Sequence, residues 1–260
     1  MAVRKALVSD DPGQAALTRA IEGESDLTLV YQGIHDANSG AIWGAEALLR
    51  QRRKDGQLRE ASIITEAAED GSRARLFALD SMLVRQAYTD AARWSVRLNV
   101  NLSPREFQEG NVLDRLTKLV TSCGTDTSKV NLEITETSYI DEPEETMEVL
   151  EAIKKLGVSL WLDDFGTGHS SLTHLQHFPV DGIKLPGAFV RPLPDDARCA
   201  AIIRSLMCLA KDLGLQVIAE EVETKEQLDF VRGLGCELIQ GFLFSKPVPP
   251  EEFSTRLSSS

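Results

Sequence analysis

From Val96 onward, short apolar runs alternate with amphipathic stretches without interruption, and the amphipathic stretches carry their own start and stop signals. Strand, helix, strand, helix in that order favours a parallel sheet covered by helices. The strand-like runs are 96–102, 130–134, 159–162, 182–185, 216–219 and 238–242. Between them, Asp141 and Pro143 open a helix in which Met147, Leu150, Ile153 and Leu156 recur at helical spacing, and Gly157 closes it. Asp195 or Asp196 opens another, with Ile203, Leu206, Met207 and Ala210 on one face and Gly214 at its end. Thr224 and Gln227 form a capping-box pattern ahead of Leu228 and Val231.

Two further strand-like runs precede this series, at 27–32 and 42–49, and only nine residues, 33–41, separate the second from the first once Gln32 ends. That link contains Asn38-Ser39-Gly40, a turn composition, so the pair is expected to be an antiparallel hairpin. Eight strands with one reversed at the start predict an α/β fold, a TIM-like (β/α)8 barrel variant whose first strand is antiparallel. A chain of 260 residues is the right size for one such barrel. Residues 1–24 read as an N-terminal extension with a short helix around 14–22, residues 25–250 as the domain, and 251–260 as a tail expected to fray from Ser254.

Charge narrows the partners. A formal net charge of −12 disfavours duplex nucleic acid, whose phosphates reward an excess of Lys and Arg. A small anionic ligand stays compatible if bound metal ions supply positive charge locally. Cys123, Cys199, Cys208 and Cys236 show no Cys-x-x-Cys spacing and no adjacent histidine, which fits a reduced, cytoplasmic setting rather than a zinc site. No apolar run is long enough for a signal-peptide core or a bilayer span, so no membrane insertion is expected.

The carboxylates say most about function. The C-terminal ends of barrel strands form the active-site face. The polar residues falling at or near the strand ends are Glu46, Asn101, Glu133, Asp163, Asp164, Lys184, Glu220 and Gln240. Taken singly, each has a bland reading: a Glu at a strand end is usually solvated, an Asn usually caps a turn, and Asp163-Asp164 ahead of Gly166 shapes a loop. Taken together they put five acids, one lysine and two amides on one rim. Carboxylates so crowded repel one another unless cations join them. Oxygen donors without His or Cys select Mg²⁺ or Mn²⁺ over zinc.

These residues lie in a series of motifs: Glu46-Ala47-Leu48-Leu49-Arg50, Val100-Asn101-Leu102-Ser103, Leu132-Glu133-Ile134-Thr135-Glu136, Asp163-Asp164-Phe165-Gly166-Thr167-Gly168, Ile183-Lys184, Ala219-Glu220 and Gln240-Gly241. In that order, the series resembles the EAL family of cyclic diguanylate (c-di-GMP) phosphodiesterases over roughly residues 27–247. The resemblance implies hydrolysis of c-di-GMP to linear 5′-pGpG with two Mg²⁺ or Mn²⁺ ions. It makes Glu46, Asn101, Glu133, Asp163, Asp164 and Glu220 the metal set, with Asp163 bridging. It places Lys184 beside the attacking water and phosphoryl oxygens, Gln32, Arg50 and Gln240 at the substrate, and Glu136 as anchor of the 165–171 loop. Either Glu220 or Lys184 moves a proton. A homodimer is also implied.

The chain departs from the family pattern at four places. Pro186 stands where an aspartate usually follows the lysine, Gly33 where a proline follows Tyr31-Gln32, His169 where a tyrosine follows the glycine loop, and Glu221 where a glycine follows Glu220. His35, His174 and His177 show no ligand spacing and read as structural. The rival function is a non-catalytic receptor, a degenerate EAL domain that binds c-di-GMP and signals through a partner. Loss of metal ligands marks that class, and here the set is retained.

Overall fold

The computed structural model describes residues 27–52, 55–60, 73–102, 112–135, 143–167 and 175–258. Among them, the strands are β1 (Leu27–Asp36), β2 (Ile42–Arg52), β3 (Leu58–Glu60), β4 (Arg97–Leu102), β5 (Val130–Thr135), β6 (Ser159–Asp163), β7 (Gly182–Leu185), β8 (Gln216–Ala219) and β9 (Leu238–Ile239). Their order in the sheet is β1-β9-β8-β7-β6-β5-β4-β2-β3, and β1 also pairs with β2. Eight strands therefore close into a barrel, while β3 extends the outer end of β2. β1 runs antiparallel to both neighbours, and the pairings from β2 through β4 and on to β9 are parallel. The barrel variant with a reversed first strand is the fold of this chain.

The hairpin turn forms for the reason its composition gives. Asp36 accepts from the backbone N–H of Asn38 and of Ser39 and from the Ser39 hydroxyl, which replaces ladder bonds as the strand ends. Differences from the sequence reading are local. β1 and β2 run farther than their apolar cores, because pairing with each other supplies a partner for polar residues too. β3 carries no apolar run to announce it. β9 ends at Ile239, since the Gln240 carbonyl accepts from the Val222 N–H as the chain leaves the sheet.

The helices are α1 (Arg73–Trp94), α2 (Val112–Cys123), α3 (Pro143–Lys154), α4 (Gly187–Val190), α5 (Ala197–Asp212), α6 (Lys225–Gly233) and α7 (Pro250–Leu257). Asp196 caps α5 by accepting from the N–H groups of Arg198 and Cys199, and Ala200, Ile203, Met207 and Ala210 are its buried stripe. The capping box of α6 is complete, with Thr224 and Gln227 bonding reciprocally. The helix expected at 14–22 lies outside the described residues. The segment expected to fray instead forms α7, because Phe253 is buried between Trp94 and Tyr31, with ring centroids 5.1 and 5.9 Å away.

Two-residue alternation along the strands divides the barrel wall. Leu98, Val100 and Leu102, Leu132 and Ile134, Leu160 and Leu162, and Ile183 and Leu185 join the main core beneath the helices. The residues between them face inward. Ile34, Trp161, Ile218 and Leu238, with Trp43 against them, make a separate apolar cluster that plugs the barrel interior. A Cβ at Gly182 would lie 2.6 Å from the Trp161 ring, so only glycine leaves room for that indole. Two residues farther along the same strands, the inward positions become Asp163, Lys184, Glu220 and Gln240. The plug thus sets a dry floor beneath a polar mouth.

Candidate metal centre at the barrel mouth

Lys184, wholly buried on β7, organises the mouth. Its ammonium lies 2.8 Å from Glu220, 3.1 Å from Glu133, 3.3 Å from Asp163 and 3.5 Å from Glu46. Burial alone would push the lysine down, but Asp163, Glu133, Glu220 and Glu46 together more than reverse this and hold it well above its usual value. It is a fixed cation. Against it stand the four acids and Asp164, so the cluster carries excess negative charge when all are ionised.

The acids register that excess. Burial, together with the charges of Glu46 and Asp163, pushes Glu133 well up, although Lys184 and Asn99 oppose the shift. Burial first, then neighbouring acids, raise Glu220 to about 7. Asp164 is raised by burial and by Asp163 beside it. Asp164 takes a left-handed backbone, φ 52°, and its N–H donates to Asp163 at 3.0 Å. Asp163, Asp164 and Glu220 each offer an oxygen within 4.8 Å of the others.

The remaining contacts orient the acids. The Asn101 amide donates to Glu46 at 3.1 Å and Gln240 donates to its other oxygen at 2.7 Å. Asn99 donates to Glu133 at 2.6 Å, and Asn131 donates to Asn99 at 2.8 Å. The buried ladder Asn131, Asn99, Glu133 was missed by the sequence reading. Its signal was present in Asn99-Val100-Asn101 and Asn131-Leu132-Glu133, where period two puts both polar residues of each run on the inner face.

Whether the donors fit a hard cation can be judged from the atoms. All candidate ligands offer oxygen, and Glu133 Oε2 is buried with no hydrogen-bond partner among the described residues. An orphaned carboxylate oxygen of that kind is costly, and a divalent cation would satisfy it. The residues fit.

The structure thus brings Glu46, Asn101, Glu133, Asp163, Asp164, Lys184, Glu220 and Gln240 together, with Gln32 accepting from Gln240 at 3.2 Å. Arg50 lies farther along β2, its guanidinium donating to the Leu49 carbonyl at 2.9 Å. Glu136, His169 and His174 fall outside the described residues. Pro186 sits at the start of α4, where φ −67° suits its ring, and its carbonyl accepts from the Phe189 N–H at 2.9 Å. Glu221, with φ 52°, pairs with Arg191 and packs over Gly187, where a Cβ would lie 2.2 Å from its carboxylate carbon. Its added charge is therefore met by a guanidinium.

The EAL domain model matches residues 14–247. The chain belongs to the EAL domain family. This EAL domain is 34% identical over 233 residues to a Pseudomonas aeruginosa protein named cyclic di-GMP phosphodiesterase NbdA, covering 87% of the chain and 29% of that protein. It is 35% identical over 229 residues to an uncharacterized signaling protein of Caulobacter vibrioides, covering 87% of the chain and 28% of that protein. The chain thus spans roughly a third or less of these curated relatives. Among solved structures, the PaMucR phosphodiesterase in complex with c-di-GMP superposes with a TM-score of 0.86 at 30% identity, covering 93% of this chain and 99% of that one. No helix among the described residues is long and apolar enough to cross a membrane.

Proposed function

We propose that this EAL domain is a phosphodiesterase that hydrolyses c-di-GMP to linear 5′-pGpG. The observation that carries the reading is Lys184 bridging four carboxylates at the mouth of a closed barrel, in a donor set made of oxygen. Support comes from the family and from relatives named as c-di-GMP phosphodiesterases.

Glu46, Asn101, Glu133, Asp163, Asp164 and Glu220 would hold two Mg²⁺ or Mn²⁺ ions. When bound, such ions lower the pKa of a shared water and neutralise charge on non-bridging phosphoryl oxygens. The chain's own residues supply the rest. Lys184 would sit as a cation beside the attacking water and the phosphoryl oxygens. Glu220 or Lys184 would pass a proton to the departing ribose 3′-oxygen. Gln32, Gln240 and Arg50 bind substrate, the guanidinium suiting a planar grip on phosphate. Glu136 as loop anchor and the homodimer belong to the same reading and rest on the family resemblance; sedimentation of the purified chain tests the dimer.

Calorimetry with c-di-GMP, paired with chromatography of the products under Mg²⁺ and Mn²⁺, tests the reading. Binding together with a linear product supports the enzyme. Binding without linear product in any metal would make the domain a receptor.

A further inference from the structure

A series of contacts links the two site glutamines to His35 on β1. His35 is buried, and its ring stacks on Phe244 with centroids 5.1 Å apart. Nδ1 lies 2.9 Å from the Gly40 carbonyl and Nε2 lies 3.0 Å from the Ser245 hydroxyl. A carbonyl can only accept, so Nδ1 carries the proton. In the neutral ring, Nε2 is then an acceptor, and the Ser245 hydroxyl donates to it. Burial, the largest influence on His35, holds its pKa below the usual value, which keeps the ring neutral near pH 7.

From the Ser245 hydroxyl the connection passes through the residue's own covalent frame to its main-chain carbonyl. The Ser245 carbonyl accepts from Gln32 Nε2 at 3.1 Å, fixing which end of that amide is nitrogen. Gln32 Oε1 then accepts from Gln240 Nε2 at 3.2 Å, and the same nitrogen donates to Glu46 Oε2 at 2.7 Å. Both Gln240 N–H groups are thereby committed. Gln240 Oε1 is left buried with no partner among the described residues, an acceptor waiting for a donor.

Gly33 belongs to the same device. A Cβ there would stand 2.6 Å from His35 Nε2 and 3.0 Å from the Ser245 hydroxyl oxygen, so any larger residue would intrude on the first link. The departure at Gly33 and the histidine two residues later are one arrangement.

We propose that His35 and Ser245 are positioning residues: the bond between the His35 ring and the Ser245 hydroxyl anchors the main-chain carbonyl that orients the Gln32 amide, and Gln32 with Glu46 turns Gln240 so that its carbonyl oxygen, and not an N–H, is left for the ligand. The ligand role of the two glutamines rests on the reading given under Proposed function. The recognised group is accordingly a donor, such as a guanine N–H or a ribose hydroxyl.

Two thermodynamic cycles test this. His35 does not bond directly to Gln240, so independent residues would give additive effects on melting. His35→Phe, which keeps the stack on Phe244, is combined with Gln240→Met, and Ser245→Ala with Gln32→Ala, all melted without ligand. Non-additive effects in both cycles are expected, with Ser245→Thr melting like the parent; additive effects would overturn the positioning role. In steady-state assays with c-di-GMP and Mg²⁺, His35→Phe and Ser245→Ala are each expected to raise KM about five-fold, the worth of one hydrogen bond. Those increases should vanish in the Gln32→Ala background. An equal increase in that background would also overturn the proposal. A parent that neither binds nor cleaves c-di-GMP, yet shows coupled melts, would refute the proposed function while upholding the positioning role.

Discussion

Replacing Lys184 with methionine should expose how much of the mouth is held by one cation. The side chain is of similar length, so packing changes little, but four acids at 2.8 to 3.5 Å lose their shared partner. Removing one member of a buried ionic cluster costs about 3–5 kcal/mol because uncompensated charge remains. In a domain of this size that corresponds to a fall in Tm of about 6–20 °C. The pH dependence gives the sign. Glu220 has a folded pKa of about 7, above its ordinary value, so the folded state binds the extra proton and stability falls as pH rises from the unfolded pKa through about 7. Without Lys184 to oppose them, the acids should hold protons more tightly still. The variant's deficit in metal-free buffer should therefore be larger at pH 8 than at pH 5.5. Calorimetric melts of both proteins at both pH values make the measurement. A variant that melts within about 1 °C of the parent at pH 8, where about 6 °C or more is expected, would refute the electrostatic account.

Other consequences are open to the same instruments. Glu46→Ala or Asp163→Ala should abolish turnover yet leave the metal-free Tm equal or higher, because each removes an anion from an overcharged cluster; assay and melt are run together. Mg²⁺ or Mn²⁺ should raise the parent's Tm more at pH 8 than at pH 6, since protons on Glu220 and its neighbours compete with metal below about 7. Pro186→Asp meets a backbone already suited to helix capping, φ −67° and ψ 148°, so it should fold. If an anion there assists Lys184, Pro186→Asp should exceed Pro186→Asn in kcat, about tenfold for about 1.4 kcal/mol; equal rates would make the position auxiliary.

Much of this was legible in the sequence, for identifiable reasons. Asn101, Glu133, Asp163, Lys184 and Glu220 each fall at or near the end of an apolar run, a local signal, so the barrel rule could place them on one rim. Asp195 or Asp196, and Thr224, could be read as caps because a cap is defined within four residues, and the structure selects Asp196. What escaped depends on contacts distant in sequence. β3 pairs with β2 without an apolar pattern of its own. α7 holds because Phe253 meets Tyr31 and Trp94, a contact no window near Ser254 reveals. His35 read as structural, since its partner Ser245 is 210 residues away. Glu221 stands out in the sequence only as a departure after Glu220, and only the fold shows Arg191 beside it.

The most direct test of the central claim is cleavage of c-di-GMP in ¹⁸O-labelled water with Mg²⁺ or Mn²⁺, the products separated and their masses read. Attack by solvent on phosphorus, with the ribose 3′-oxygen leaving, predicts linear pGpG carrying one ¹⁸O in its 5′-phosphate, formed by the parent and not by Asp163→Ala. Intact c-di-GMP with no linear product in either metal, or a linear product made equally well by Asp163→Ala, would contradict the account.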